Sequence, residues 1–411
     1  MRCRHCDTEL ELSFLDLGSS PPSNSYLDGQ ALHAPETWFP LRVLVCEACW
    51  LVQTEDHAGR ETFFSDSYAY FSSYSTSWLT HARTYVYDMK ARFGLGPDSC
   101  VVEIAANDGY LLQYVQEAGI PCYGIEPTHS TAEAAREKKI DIIEDFFGRQ
   151  LAGQLAAQDR RADLIAAKNV LAHVPDINDF VGGFARLLKP TGVATFEFPH
   201  LLNLVAYSQF DTVYHEHYSY LSLTAVERVF RANGLSIFDV EEWPTHGGSL
   251  RVFAQRSDCG EQATHRNVES VIAREEKAGI RQRNFYESFQ HKAEWIKNDL
   301  LGFLLDVRKQ GKRIAAYGAA AKGNTLLNYA GIRPDLLPFV IDRNPYKQGR
   351  YMPGSRIPIV GEKLLQEEKP DYLLLLPWNL QSELMEQLSY ISGWDGRFVV
   401  AVPELKVLQA G

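Results

Sequence analysis

Five consecutive residues in the stretch DTVYHEHYSYLS, namely Tyr214, His215, Glu216, His217 and Tyr218, set phenols, imidazoles and a carboxylate side by side. Imidazole gives and takes protons near neutral pH, and an adjacent carboxylate or phenol can orient and tune it, so an acid–base site is expected here. Conformation decides which groups meet. In an extended segment His215 and His217 share one face and Glu216 takes the other, whereas in a helical turn Tyr214 and His217 come together. The sequence leaves both open, along with a catalytic metal or packed rings without a role. The HExxH zinc spacing is absent, which argues against a metalloprotease.

Four of the seven cysteines form two Cys-x-x-Cys knuckles, Cys3 with Cys6 and Cys46 with Cys49. Two such pairs are the pattern of a tetrahedral zinc site, each knuckle presenting two thiolates to one ion. A thioredoxin-like redox pair would explain one motif but hardly two. Four thiolates leave no open coordination position, so the zinc is expected to be structural, contributing on the order of 10–16 kcal/mol to folding of its domain. Residues 7–45 make a longer linker than a compact zinc ribbon has, and this segment, with Pro21, Pro22 and the turn-rich SSPPSNS, is expected to fold beside the metal as an insertion. Cys100, Cys122 and Cys259 read as small buried residues and a surface thiol.

The run VVEIAANDGYLL, residues 101–112, followed by Glu126 at the end of CYGIEP, reads as a strand, a turn around Asn107, Asp108 and Gly109, a helix, and a second strand ending in an acid. A nucleoside site needs that layout: small residues where backbone approaches the ligand, and a carboxylate on the next strand for the ribose hydroxyls. The GxGxxG fingerprint is missing and an acid, Glu103, sits at the strand end. S-adenosylmethionine is therefore favoured over a dinucleotide, because the loop then receives an amino acid carboxylate and amine and has no pyrophosphate to cradle. The alternative is an ordinary strand, turn and helix with a chance acid downstream. Glu103, Ala105, Asn107, Gly109 and Glu126 are the expected cofactor residues, joined by Phe147 and Asn169. In ADLIAAKNVLAHVPD a helical turn would place Asn169 and His173 on one side; Asn169 bonds the cofactor or caps a turn, and His173 touches substrate or fills the core edge. A second loop, YGAAAKGN at 317–324, offers small residues and Lys322 to an anion at a helix N-terminus. Close packing of strand on helix explains it equally well.

The elements that must position these groups follow from periodicity. Seven β-rich runs, around Val101, Tyr123, Ile142, Leu164, Ala194, Ile237 and Val252, are separated by helical segments early on and by the short turn WPTHGGS at the end. That predicts a seven-stranded doubly wound sheet with one antiparallel strand. Residues 264–309 read as a pair of connecting helices, and KRIAAYG, FVIDRNP, YLLLLPW and FVVAVPE as a smaller parallel sheet. With a net charge of −11, a nucleic acid is not expected as a partner, which disfavours an RNA methyltransferase. No stretch reaches the roughly 18 apolar residues of a membrane span, and MRCRHC leaves no room for a signal peptide, so a soluble cytoplasmic protein is expected.

The double knuckle, YAYFSSYS, VVEIAANDG, NVLAHVPD, YHEHYSYLS, HGGSLRV and YGAAAKGN, in this order, resemble the sugar-nucleotide C-methyltransferases that make branched deoxysugars. The likeness covers nearly the whole chain, and YHEHY with HGGS is more diagnostic than the cofactor loop. It implies an α/β chain with an N-terminal zinc-binding domain (1–66), a central S-adenosylmethionine methyltransferase domain (67–258), a helical connector (259–310) and a smaller C-terminal Rossmann-like domain (311–411). It also implies a thymidine diphosphate 4-keto-6-deoxy sugar as substrate, methylated at carbon 3. On that reading His217 removes the hydrogen beside the ketone while Tyr214 and Glu216 orient it or stabilise the enolate. Tyr68, Tyr70 and Ser73 would cover the sugar, His173, His200 and His246 would touch it, and Lys322 with Asn324 would face the diphosphate. O-methylation of a sugar or small phenol, and a catalytically silent sugar-nucleotide or adenosyl-binding protein, are the alternatives. Oligomeric state is not legible.

Overall fold

A computed structural model describes residues 1–57, 59 and 71–410. The linker between the knuckles is a β-hairpin: β1 (Leu12–Ser20) pairs antiparallel with β2 (Phe39–Val45), which pairs with β3 (Val52–Thr54) just past Cys49. Its apolar side chains are buried, Val43 and Val45 completely, and Phe14 stacks on Phe289 with centroids 4.5 Å apart. Phe289 opens the long helix Phe289–Lys309, so the segment between the knuckles is sewn to this helix by a shared apolar core.

The seven apolar runs all become strands of one sheet. β4 (Val101–Ile104), β5 (Cys122–Ile125), β6 (Ile142–Ile143), β7 (Ala162–Lys168) and β8 (Leu188–Pro199) are parallel. A short strand, β9 (Ser219–Tyr220), leaves this sheet and pairs with β3, Val52 opposite Tyr220 and Gln53 opposite Ser219. That pairing draws the YHEHY segment against the second knuckle. β10 (Leu235–Trp243) and β11 (Ser249–Arg256) form the closing hairpin, and β11 inserts antiparallel between β10 and β8, giving the order β6-β5-β4-β7-β8-β11-β10. Helices Ile177–Leu187 and Leu223–Ala232 cover β8, whose Phe196 lies 4.5 Å from Phe184 and 4.6 Å from Phe230 by ring centroids. Helix Leu223–Ala232 starts where it does because the Ser222 hydroxyl accepts the Ala225 N–H.

The connector is helices Arg266–Ala278, Asn284–Glu287 and Phe289–Lys309. The C-terminal sheet consists of β12 (Ile314–Tyr317), β13 (Val340–Ile341), β14 (Ile359–Val360), β15 (Tyr372–Leu375), β16 (Arg397–Val400) and β17 (Lys406–Gln409), in the order β14-β13-β12-β15-β16-β17. All are parallel except β17. The two edges, β14 and β17, carry no long apolar run: β14 is two residues and β17 is mostly exposed, which is why periodicity misses them. Among the described residues no helix is long and apolar enough to cross a membrane.

Candidate active site

The four knuckle cysteines converge. Their Sγ atoms lie within 4.8 Å of one another, with Cys3 to Cys49 at 3.6 Å and Cys6 to Cys46 at 3.5 Å. A tetrahedron of Zn–S bonds of about 2.3 Å has edges of ~3.8 Å, so the donor set and its size fit zinc. Gln53 on β3 donates to Cys3 Sγ at 3.3 Å and accepts the Arg4 N–H at 2.9 Å, tying the first knuckle to the sheet.

The carboxyl ends of β4, β5, β7 and β8 open into a cavity of about 390 Å³. The loop after β4 turns sharply, with Ala105, Asn107 and Gly109 all at positive φ (58°, 50° and 73°). A Cβ at Gly109 would lie 2.3 Å from Ile140 Cδ1, so only glycine fits that turn. Glu126, at the end of β5, accepts the Asn107 N–H at 2.9 Å and the Thr128 N–H at 3.0 Å, and burial raises its pKa against those bonds. It lines the cavity with Ala105, Asn107, Phe147 and Asn169. Asn169 is itself at φ 53°, and its buried Oδ1 has no partner among the described residues. An orphan carbonyl oxygen beside a carboxylate and an aromatic wall fits a ligand with an amine, hydroxyls and a flat base. Glu103 does not line the cavity. It is buried beneath the loop, and desolvation pushes its carboxyl well above the usual range. Gly109 likewise acts through loop shape and does not line the cavity.

The helical-turn alternative is the one adopted at YHEHY. His217 N–H donates to the Tyr214 carbonyl at 2.9 Å, and the two rings lie 4.0 Å apart. His217 Nδ1 sits 3.0 Å from the Thr212 carbonyl, which can only accept, so Nδ1 carries the proton and the lone pair lies on Nε2. Burial, with the neighbouring His173, holds the His217 pKa well below the usual histidine value. His173 packs edge-on against it at 4.6 Å. His215 points the other way, its Nε2 3.2 Å from the Phe39 and Pro40 carbonyls, so it braces β2 and does not face the cavity. Tyr214, Glu216, His217, His173 and His246 line the same cavity as the loop after β4. His246 holds φ 55°, a conformation costly for a non-glycine residue, and its buried Nδ1 has no partner among the described residues.

Behind this wall lies a charge cluster that sequence reasoning missed. Glu197 on β8 accepts from Lys168 Nζ and His81 Nε2, both at 2.7 Å, and from Arg251 at 3.2 Å. Lys168 Nζ also lies 4.2 Å from the Tyr85 ring centroid, and Lys168 lines the cavity. The signal was present as single charges inside the apolar strands TFEFP and SLRVF, and as a lysine ending IAAK.

The C-terminal sheet supplies the opposite wall. Gly318, at φ 90°, turns the chain after β12 where a Cβ would lie 2.5 Å from Pro377. Lys322, in the first turn of helix Ala321–Tyr329, lines the cavity and donates to Asn379 at 2.7 Å over the Trp378 ring. Burial lowers its pKa, opposed by Asp211. Lys347 and Asn24 complete this side and were likewise missed; no local pattern marked them.

Three expected substrate contacts do not reach the cavity. His200 is buried with Nε2 2.6 Å from Glu275, a carboxylate that also accepts the Leu223 and Thr224 N–H groups. Asn324 is buried on the inner face of its helix. Ser73 accepts from Lys138 at 2.8 Å, and its neighbour Ser72 lines the cavity in its place. Tyr68 and Tyr70 lie outside the described residues.

Three family models match along the chain: a zinc binding domain at residues 3–64, a methyltransferase domain at 78–240, and a C-methyltransferase C-terminal domain at 244–403. The C-methyltransferase NovU of Streptomyces niveus is 33% identical over 408 residues, spanning 99% of this chain and 97% of that protein. A ubiquinone biosynthesis O-methyltransferase of Rhodopseudomonas palustris is 27% identical over 95 residues, 23% of this chain and 37% of its own. Among solved structures, the magnesium protoporphyrin IX methyltransferase of Synechocystis PCC 6803 with bound SAH aligns over 44% of this chain and 83% of its own, at 17% identity and a TM-score of 0.36. With a full-length relative at that identity, the chain belongs to the C-methyltransferase family and is an S-adenosylmethionine-dependent methyltransferase with a structural four-cysteine zinc site.

Proposed function

We propose that this enzyme methylates carbon 3 of a thymidine diphosphate-linked 4-keto-6-deoxy sugar in the cytoplasm, as a step in branched deoxysugar biosynthesis. The observation that carries this reading is the His217 imidazole, tied through Nδ1 to the Thr212 carbonyl in the cavity lined by the cofactor loop. A carbon beside a ketone becomes nucleophilic only once its proton is removed, and a neutral imidazole with its lone pair on Nε2 is a suitable base. Nε2 takes the carbon 3 proton and the electron pair moves toward the ketone oxygen, which leaves carbon 3 nucleophilic. S-adenosylmethionine, when bound, would supply an electrophilic methyl group whose bond to sulfur breaks as the bond to carbon forms, S-adenosylhomocysteine being the leaving group. Tyr214, packed on His217, and Glu216 orient the base and the sugar; His173 and His246 flank them. Lys322 is offered to the diphosphate, which is the substrate part whose charge a lysine answers. Glu126 receives the ribose hydroxyls and Asn169 the methionyl amine of the cofactor. The division into 1–66, 67–258, 259–310 and 311–411 belongs to the same proposal.

The test is turnover of labelled S-adenosylmethionine against a small panel of nucleotide-linked 4-keto-6-deoxy sugars, with product NMR. A new C-methyl signal at carbon 3 supports the reading. An O-methyl signal, or no transfer to any member, contradicts it.

A further inference from the structure

His217 is held from two directions. Its own loop supplies the Tyr214 carbonyl, which accepts the His217 N–H at 2.9 Å, and the Thr212 carbonyl, 3.0 Å from Nδ1. The other hold comes from β3, where the Thr54 hydroxyl donates to the His217 carbonyl. A hydroxyl has one hydrogen and two lone pairs, so the same oxygen is left to accept from the Tyr220 phenol, to which it is also bonded. Tyr220 Oη in turn accepts the Tyr214 N–H at 3.3 Å, and the Thr54 N–H donates to the Tyr218 carbonyl at 3.1 Å. Thr54 is 2% exposed, so water does not compete for these bonds. Residues 213–218 belong to no helix or strand, and this clamp gives them the rigidity that regular structure would otherwise supply.

Thr54 is fixed in its turn by the first zinc knuckle. Arg4, between Cys3 and Cys6, donates through Nη2 to the Thr54 carbonyl at 2.8 Å and through Nη1 to the Pro175 carbonyl at 3.0 Å. Asp56 balances its charge at 2.9 Å, and the guanidinium lies 5.2 Å from the Tyr218 ring centroid. Pro175 stands in the same cavity wall as His173. A planar guanidinium sets its two carbonyl partners at a fixed separation, which a lysine ammonium does not.

We infer that Thr54 is a positioning residue for His217, and that Arg4 makes it one by locking β3 to the zinc knuckle and to the wall that carries His173. The inference rests on the reading of His217 as the base. A base must lie within hydrogen-bond reach of the proton it takes, so a small displacement slows proton removal while leaving the rest of the substrate bound. The zinc segment then sets the place of an imidazole more than 150 residues along the chain, through main-chain contacts alone.

Two readouts test this, one of them independent of the substrate. The first is solvent deuterium exchange at carbon 3 of thymidine diphosphate 4-keto-6-deoxyglucose. The second is the His217 Nδ1–H resonance in protein labelled with 15N-histidine, identified by its loss in His217→Asn. Thr54→Val keeps the shape and removes the hydroxyl; it is expected to slow exchange about ten- to hundredfold and to lose the resonance to exchange with water. Its zinc content, S-adenosylmethionine affinity and binding of thymidine diphosphate glucose stay at wild-type values. Thr54→Ser, which keeps the hydroxyl, restores most of both signals, and Arg4→Lys, which keeps the charge and loses the fork, lowers both. An unchanged resonance or unchanged exchange in Thr54→Val overturns the role of Thr54, and wild-type values in Arg4→Lys overturn that of Arg4. A Thr54→Val chain that loses zinc, cofactor affinity and thermal stability together is a chain whose fold has failed generally, and overturns the inference as well. If the wild-type enzyme does not exchange at carbon 3 while the resonance responds as expected, the functional reading falls and the positioning of His217 stands.

Discussion

Lys168 Nζ lies 2.7 Å from Glu197 Oε2, an ion pair in which both side chains are almost wholly buried, at the wall of the cavity. Arg251 and His81 share the same carboxylate, so one anion serves several buried donors. Burial would raise the Glu197 pKa, but Lys168, His81 and Arg251 overcome it and hold it well below the usual range. Removing the anion leaves the buried Lys168 ammonium without its carboxylate, while Arg251 keeps Glu241 at 3.1 Å. Glu197→Gln is expected to cost about 3–5 kcal/mol of folding stability, measured by urea unfolding; a change within 1 kcal/mol would contradict the arrangement.

Glu126 accepts the Asn107 and Thr128 backbone N–H groups and so holds the loop after β4 while lining the cavity. Glu126→Ala removes both the loop anchor and the proposed ribose acceptor. S-adenosylmethionine binding should weaken on the order of ten- to hundredfold, about 1.4–3 kcal/mol, by titration calorimetry. Unchanged affinity would move the cofactor elsewhere.

Zinc analysis by atomic emission should give one ion per chain, and Cys6→Ser or prolonged chelation should lower both the metal content and the thermal midpoint. The four sulfurs already stand at zinc-site spacing, so loss of metal leaves the hairpin of β1 and β2 without its clasp. A chain purified without zinc that melts at the same temperature would contradict a structural site.

His215 predicts an acid limit on stability. It is 4% exposed and burial brings its pKa down to about 4, against about 6.5 in the unfolded chain. With the folded value lower, the unfolded state binds the proton first as pH falls. Stability is therefore complete above about pH 6.5 and declines through the window down to pH 4, by about 3 kcal/mol from this residue. His215→Gln should flatten that part of the pH dependence in denaturant titrations.

Much of the candidate site was legible because its residues are contiguous. The run Tyr214 to Tyr218 and the knuckles are dense local patterns, and the apolar strand before Ala105 announces a ligand loop wherever it falls in an α/β sheet. The choice between an extended strand and a turn at His217 was not legible, since both conformations suit the same residues; the Thr212 carbonyl settles it through a contact five residues away. His200 was misplaced for a related reason. It directly follows β8 at the carboxyl edge of the sheet, but Glu275 on helix Arg266–Ala278 claims its ring, and nothing in the strand indicates a partner 75 residues ahead. The linker between the knuckles read only as an insertion because it exceeds a compact zinc ribbon; its strands were not legible, since the sheet they join is completed by β9, from another part of the chain.

The central claim is that His217 removes the proton at carbon 3. The most direct measurement is solvent deuterium incorporation at that carbon of a thymidine diphosphate-linked 4-keto-6-deoxy sugar, with wild-type enzyme and His217→Asn, alongside cofactor affinity. The account predicts that S-adenosylmethionine binding stays nearly intact while exchange slows roughly 10²–10⁴-fold. Exchange at the wild-type rate in His217→Asn would contradict it.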